Sequence, residues 1–85
     1  MPAKHLIVER PVQKKLRRFP LNIHQKMIRI LQAVMLNPTM GVKLHGELEN
    51  YYKVRVGDYR VIYSFEQKTK TVIVVKIEHR QGVYR

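Results

Sequence analysis

The stretch Tyr51-Tyr52-Lys53-Val54-Arg55-Val56-Gly57-Asp58-Tyr59-Arg60-Val61-Ile62-Tyr63 decides the fold. On both sides of Gly57-Asp58, aromatic and β-branched residues are interleaved with charged ones, the pattern of half-buried strands. A Gly-Asp pair tolerates the positive φ of a tight I′ or II′ turn. With two loop residues, Val56 stands opposite Tyr59, Arg55 opposite Arg60, Val54 opposite Val61 and Lys53 opposite Ile62. One face of the hairpin is then apolar, and the other carries three cations.

Like charges directly opposite on a sheet repel, so the Arg55/Arg60 pair works against stability. Two readings stay open from the hairpin alone. The face is solvated, with long side chains splayed into water, or it is an anion site, with arginine forks as bidentate donors and lysine as a point charge. On either reading, Arg60→Ala is expected to leave stability unchanged or to raise it by a few tenths of a kcal/mol.

The 85 residues suffice for one domain, 1–85, with a small core. The hydrophobic fraction is 45%, and the apolar runs fall well short of the ~20 residues that span a bilayer, so no membrane segment is expected. Met1-Pro2-Ala3-Lys4-His5 lacks the apolar core of a secretory signal. Without cysteine there is neither a disulfide framework nor a thiolate metal site, and a reducing cytoplasm is the expected setting. Seventeen Lys and Arg against six Asp and Glu give a net charge of +11, the footprint of a nucleic-acid binder, although an acidic protein or anionic surface also suits it.

Leu6-Ile7-Val8 reads as a first strand, and Pro11 suits the first turn of a helix. Val12, Leu16 and Phe19 form that helix's apolar stripe, while Lys14, Lys15, Arg17 and Arg18 make a basic face that is either solvated or an RNA contact. Pro20 ends it. Asn22 and Gln25 resemble a capping box for a second helix, in which Ile23, Met27, Ile30, Leu31 and Val34 form one stripe. Ile28 and Met35 are expected to widen that stripe, and His24 to lie exposed on the polar side. Asn37-Pro38 stops the helix. Residues 39–50 read as a loop with a short extended piece at Val42-Lys43-Leu44; His45 has no partner at metal-ligand spacing, and no metal or other cofactor is expected.

Thr71 to Arg80 is the most β-prone run and is expected to lie inside the sheet. Its parity places Ile73, Val75 and Ile77 on one face, taken as the core, with His79 beside them. Val72, Val74, Lys76, Glu78 and Arg80 share the other, which brings Lys76 and Arg80 to the cationic surface near Arg60. The fold class is α+β, in the order β-α-α-β-β-β, with two helices on one face of a small, mainly antiparallel, twisted sheet.

That order, combined with Lys43-Leu44-x-Gly46, Tyr52-Lys53-Val54-Arg55-Val56-Gly57-Asp58-Tyr59-Arg60-Val61-Ile62-Tyr63 and His79-Arg80-x-x-Val83-Tyr84-Arg85, resembles the RelE/ParE toxin superfamily over essentially the whole chain. RelE-type members are ribosome-dependent mRNA endonucleases, whereas ParE-type members act on DNA gyrase. The resemblance to the RelE type implies a catalytic set of Lys53, Arg55, Arg60, Arg80 and Tyr84. It departs at Arg55, where the family often has lysine, and in the short link from Arg80 to Tyr84.

The implied reaction is metal-independent. A ribose 2′-OH attacks the adjacent phosphate, leaving a 2′,3′-cyclic phosphate and a 5′-hydroxyl. Arg55 and Arg60 are the expected clamp on the phosphorane. Lys53 is the candidate base because neighbouring cations favour its neutral form, Arg80 the phosphate ligand near the leaving group, and Tyr84 a stacking or orienting group. Since arginine is a poor proton donor, His79 is the alternative acid, and Glu47 or Glu49 the alternative base. Lys14, Lys15, Arg17, Arg18, Lys43 and Lys76 are the expected RNA and ribosome contacts. The implied partners are mRNA on the ribosome and a cognate antitoxin, with no membrane and no small-molecule cofactor. A gyrase inhibitor and a catalytically inactive RNA-binding relative remain the alternatives.

Overall fold

In a computed structural model, which describes residues 2–79, the hairpin forms with the expected register. Strand β3 (Tyr51–Val56) pairs antiparallel with β4 (Tyr59–Glu66), setting Val56 against Tyr59, Arg55 against Arg60, Val54 against Val61 and Lys53 against Ile62. Gly57 has φ +58°, a left-handed conformation that glycine adopts without steric penalty. The remaining elements are β1 (His5–Val8), α1 (Arg10–Arg18), α2 (Leu21–Leu36), the two-residue β2 (Val42–Lys43), a single 3₁₀ turn (Gly46–Leu48) and β5 (Thr71–His79).

The sheet order is β1-β5-β4-β3-β2, with β1 parallel to β5 and every other pair antiparallel. Strand β5 is therefore interior, and both helices lie on one face. Val12 and Leu16 of α1 and Met27, Leu31 and Val34 of α2 are buried against Val54, Val56, Val61, Tyr63, Val72, Val74 and Ile77 of the sheet. Pro11 occupies the first turn of α1 after Glu9, and Lys15, Arg17 and Arg18 fall in its last turn, where cations suit the negative end of the helix dipole.

Four expectations need correction. Helix α2 starts directly after Pro20 with no side-chain cap, so Asn22 already lies inside its first turn and forms no capping box with Gln25. His24 is half-buried, its Nδ1 3.0 Å from the Leu16 carbonyl, because the end of α1 folds back beside the start of α2. Ile28 remains 39% exposed and adds nothing to the core stripe. In β5, the buried apolar residues are Val72, Val74 and Ile77, whereas Ile73 and Val75 are only half-buried.

This last difference has one cause. Tyr63 pairs with Val74 while its neighbour Ile62 pairs with Lys76, so Val75 is an extra residue in β5, a β-bulge. The bulge shifts the parity by one, and residues before and after it reach the core from opposite parities. Beyond it the expected faces hold: Ile77 points to the helices, and Lys76 and Glu78 point away.

Tyr63 fixes the loop that follows α2. Its ring is fully buried and stacks on Tyr52 with centroids 5.4 Å apart. Its hydroxyl donates to the Pro38 carbonyl at 2.8 Å and accepts from the Gly41 amide at 3.0 Å. A Cβ at Gly41 would lie 2.8 Å from both this hydroxyl and the Lys53 carbonyl oxygen, so glycine is required for the loop to pass this close to β3. Burial raises the Tyr63 phenol above its ordinary pKa, which keeps the donor protonated.

Candidate anion-binding face

The helices leave the other face of the sheet open. Lys53 and Arg55 from β3, Arg60 from β4, and Lys76 and Glu78 from β5 share it, since Arg60 stands between Arg55 and Glu78 in the ladder, and Ile62 between Lys53 and Lys76. Ile62 is 6% exposed although it lies outside the helix-side core. Long lysine side chains flank it in the ladder, and such stems cover apolar surface while holding their charge in water.

The face is not wholly cationic. Arg60 Nη2 donates to Glu78 Oε2 at 2.5 Å, and Lys76 Nζ lies 3.3 Å from Glu78 Oε1. The Arg60 hydrogen bond, joined by Lys76, holds the Glu78 carboxyl below its ordinary pKa despite partial burial, so it is ionised at neutral pH. Glu78 thus offsets the Arg55/Arg60 repulsion, and Arg60→Ala, which removes this ion pair, is now expected to lower stability. Sequence reading placed Glu78 on this face by parity without weighing its charge; its position in the ladder opposite Arg60 was the signal.

Arg60 keeps donor capacity for a ligand. A guanidinium has five N–H donors; Nη2 serves Glu78, Nε is buried without a partner, and Nη1 has none among the described residues. Arg55 is exposed and Lys53 half-buried, and neither forms an ion pair with a described residue. Four cations around Glu78, on a surface open to solvent, can take a phosphate through charge-assisted and bidentate hydrogen bonds.

The other site residues fall in different places. His79 lies with the helix-side set, its ring edge-on to Tyr59 at 4.7 Å, and Tyr59 in turn meets Phe19 at 4.8 Å. Lys15 donates to the Ile77 carbonyl at 2.8 Å, tying α1 to β5. Lys14, Arg17 and Arg18 are exposed on α1, away from the open face. Lys43 pairs with Tyr52, on the opposite parity from Lys53. Glu47 and Glu49 are exposed in the loop before β3. Arg80 and Tyr84 lie outside the described residues.

A two-helix layer on a five-stranded sheet, with an open face of clustered cations, defines a small basic α+β domain. A model of the ParE toxin of type II toxin-antitoxin systems matches residues 6–84. The chain belongs to this family, within the RelE/ParE superfamily. It is 28% identical over 83 residues to Toxin RelE of Mycobacterium tuberculosis, covering 95% of this chain and 86% of that protein. To Toxin RelG of the same organism it is 33% identical over 46 residues, 54% of this chain and 53% of that one. The toxin in the RelBE2 toxin-antitoxin complex of M. tuberculosis superposes with a TM-score of 0.81 at 22% identity over 94% of each chain. The isolated E. coli RelE toxin gives 0.80 at 21%, covering 91% of this chain and 84% of that one. The archaeal RelE in complex with RelB from Pyrococcus horikoshii gives 0.76 at 25%, covering 92% and 96%.

Proposed function

We propose that this toxin is a ribosome-dependent endoribonuclease that cleaves mRNA in the A site and so halts translation. The observation that carries the reading is the convergence of Lys53, Arg55 and Arg60 on the sheet face that the helices leave open. A ParE-type inhibitor that recognises a protein has no evident need for clustered donors of this kind, whereas a pentacoordinate phosphorane does.

In the proposed reaction a 2′-OH loses its proton to a base as its oxygen attacks phosphorus. The bond to the 5′ oxygen breaks, and that oxygen takes up a proton, giving the cyclic phosphate and a 5′-hydroxyl. Arg55 and Nη1 of Arg60 clamp the non-bridging oxygens, and Lys53 is the proton acceptor. Glu78 is a weaker candidate for that role because two cations hold it ionised. Arg80 and Tyr84 are proposed as the phosphate ligand near the leaving group and the base-orienting group. His79, on the helix side, is poorly placed to act as acid. The ribosome supplies substrate alignment, which carries much of the rate in such a system. A cognate antitoxin is the proposed partner, supported by the RelB complexes in which related toxins of this fold occur.

The test is cell-free translation with mapping of mRNA 5′ ends at stalled ribosomes. The wild type is expected to give A-site cuts ending in 5′-hydroxyls, and Arg55→Ala and Arg60→Ala each to slow cleavage by about 100-fold, the loss typical for one transition-state donor. Intact mRNA together with blocked gyrase supercoiling would replace this reading with the ParE type.

A further inference from the structure

The positive surface does not stop at the edge of the sheet. Beside the β3–β4 turn, a groove of about 340 Å³ runs between the hairpin and α2, lined by Lys26, Arg29, Ile30, Arg55, Val56 and Gly57. Three of the six are cations and none is acidic. Lys26 and Arg29 are exposed and three residues apart, so they project from the same side of α2. This side-by-side placement is unfavourable within the helix, and no described residue forms an ion pair with either. The contrast with the open face is instructive, since Arg60 and Lys76 there share Glu78. The groove is the less neutralised of the two regions.

Arg55 belongs to both. Its backbone pairs with Arg60 in the ladder, and it also lines the groove with Lys26 and Arg29. Gly57 adds no side chain at the crossing between them, and a Cβ there would meet nothing within 4 Å. From this geometry we infer that Lys26, Arg29 and Arg55 form a second binding track for an RNA sugar-phosphate backbone, leading from the cleavage face around the hairpin turn onto α2. The inference rests on the proposed nuclease reading for the role of Arg55, and it adds a contact that positions RNA away from the scissile phosphate. An acidic peptide is the competing occupant. RNA is favoured because the track is continuous with the phosphate site through one shared residue, Arg55.

The probe is a 12-nucleotide single-stranded RNA with 2′-O-methyl riboses, which cannot be cleaved, with duplex RNA and a poly-glutamate peptide of equal charge as the other arms. Binding to wild type, Lys26→Ala/Arg29→Ala and Arg60→Ala is measured by fluorescence anisotropy from 0.05 to 0.5 M salt. Loss of two phosphate contacts on a single strand is expected to lower the slope of log K against log salt by about 1.4 and to weaken binding about 25-fold at roughly 0.1 M salt. The double variant should melt like wild type, and on ribosomes it should need more ribosome for half-maximal cleavage while keeping its maximal rate.

An unchanged salt slope overturns the inference, as does poly-glutamate that displaces the RNA and binds more tightly than it. A salt slope lowered by the double variant in a wild type that leaves mRNA intact on ribosomes supports the track and refutes the nuclease reading. Normal cleavage with an unchanged slope does the reverse.

Discussion

Replacing Glu78 by glutamine removes the carboxylate that Arg60 and Lys76 share on the open face while keeping the side chain's size. The lost interactions are the Arg60 hydrogen bond and the longer Lys76 contact. A hydrogen bond to a charged group contributes about 1.5–3 kcal/mol when well buried, and an exposed ion pair about 0.2–1. The Arg60 and Glu78 side chains are 24% and 21% exposed, which places this pair between those limits. Partial retention of a neutral hydrogen bond by glutamine brings the expected loss to about 1 kcal/mol, or roughly 4–8 °C in Tm for a domain of this size.

The pH dependence gives the sharper check. The Glu78 carboxyl is held below its ordinary pKa in the fold, so the unfolded chain binds more protons and stability rises with pH through this window. The contribution of Glu78 is fully present above the ordinary glutamate pKa of about 4.3, and it fades as pH falls through the lowered folded value. Melting curves of wild type and Glu78→Gln from pH 2 to 8 should therefore differ by a constant amount above about pH 5 and converge toward the acid end. A double-mutant cycle with Arg60→Ala should return most of that difference as coupling. Equal melting temperatures at pH 7, or a gap that persists undiminished at pH 2, would refute the assignment of Glu78 as counter-charge to Arg60.

Tyr63→Phe leaves the buried Pro38 carbonyl and the Gly41 amide without their partner; a destabilisation of about 2 kcal/mol is expected in urea titration. Lys15→Met breaks the link from α1 to the Ile77 carbonyl and should lower stability by about 0.5–1 kcal/mol in the same assay, with mRNA cleavage on ribosomes unchanged. Deleting Val75 removes the extra residue of the bulge and leaves the facing of every other described β5 residue as it is, so circular dichroism should show a folded domain. Deleting Ile77 instead turns Glu78 toward the helices and should unfold it.

The hairpin register was legible because a two-residue turn leaves one pairing, and Arg55 opposite Arg60 followed from counting. The helices were legible from their stripes and from Pro20 and Pro38. The bulge was not. Val72-Ile73-Val74-Val75 is a continuous apolar run, in which either parity buries equally good side chains, so alternation carries no signal. His24 was misplaced because a helical wheel reports only its own helix, whereas its partner carbonyl belongs to α1. Lys15 read as surface charge because a bond across 62 residues to a backbone oxygen leaves no trace in local pattern. Of the proposed catalytic set, Lys53, Arg55 and Arg60 share a face as the hairpin requires.

The place of β5 between β1 and β4 bears on the order in which such a chain can assemble. The last of the described strands to leave the ribosome is the one that joins the first to the rest. Until residues 71–79 emerge, β1 has no partner, Arg60 has no Glu78, and the helices have only part of a sheet to rest on. Contacts this distant in sequence close late, so the Lys53, Arg55 and Arg60 cluster of the hairpin emerges before the Glu78 counter-charge that offsets it.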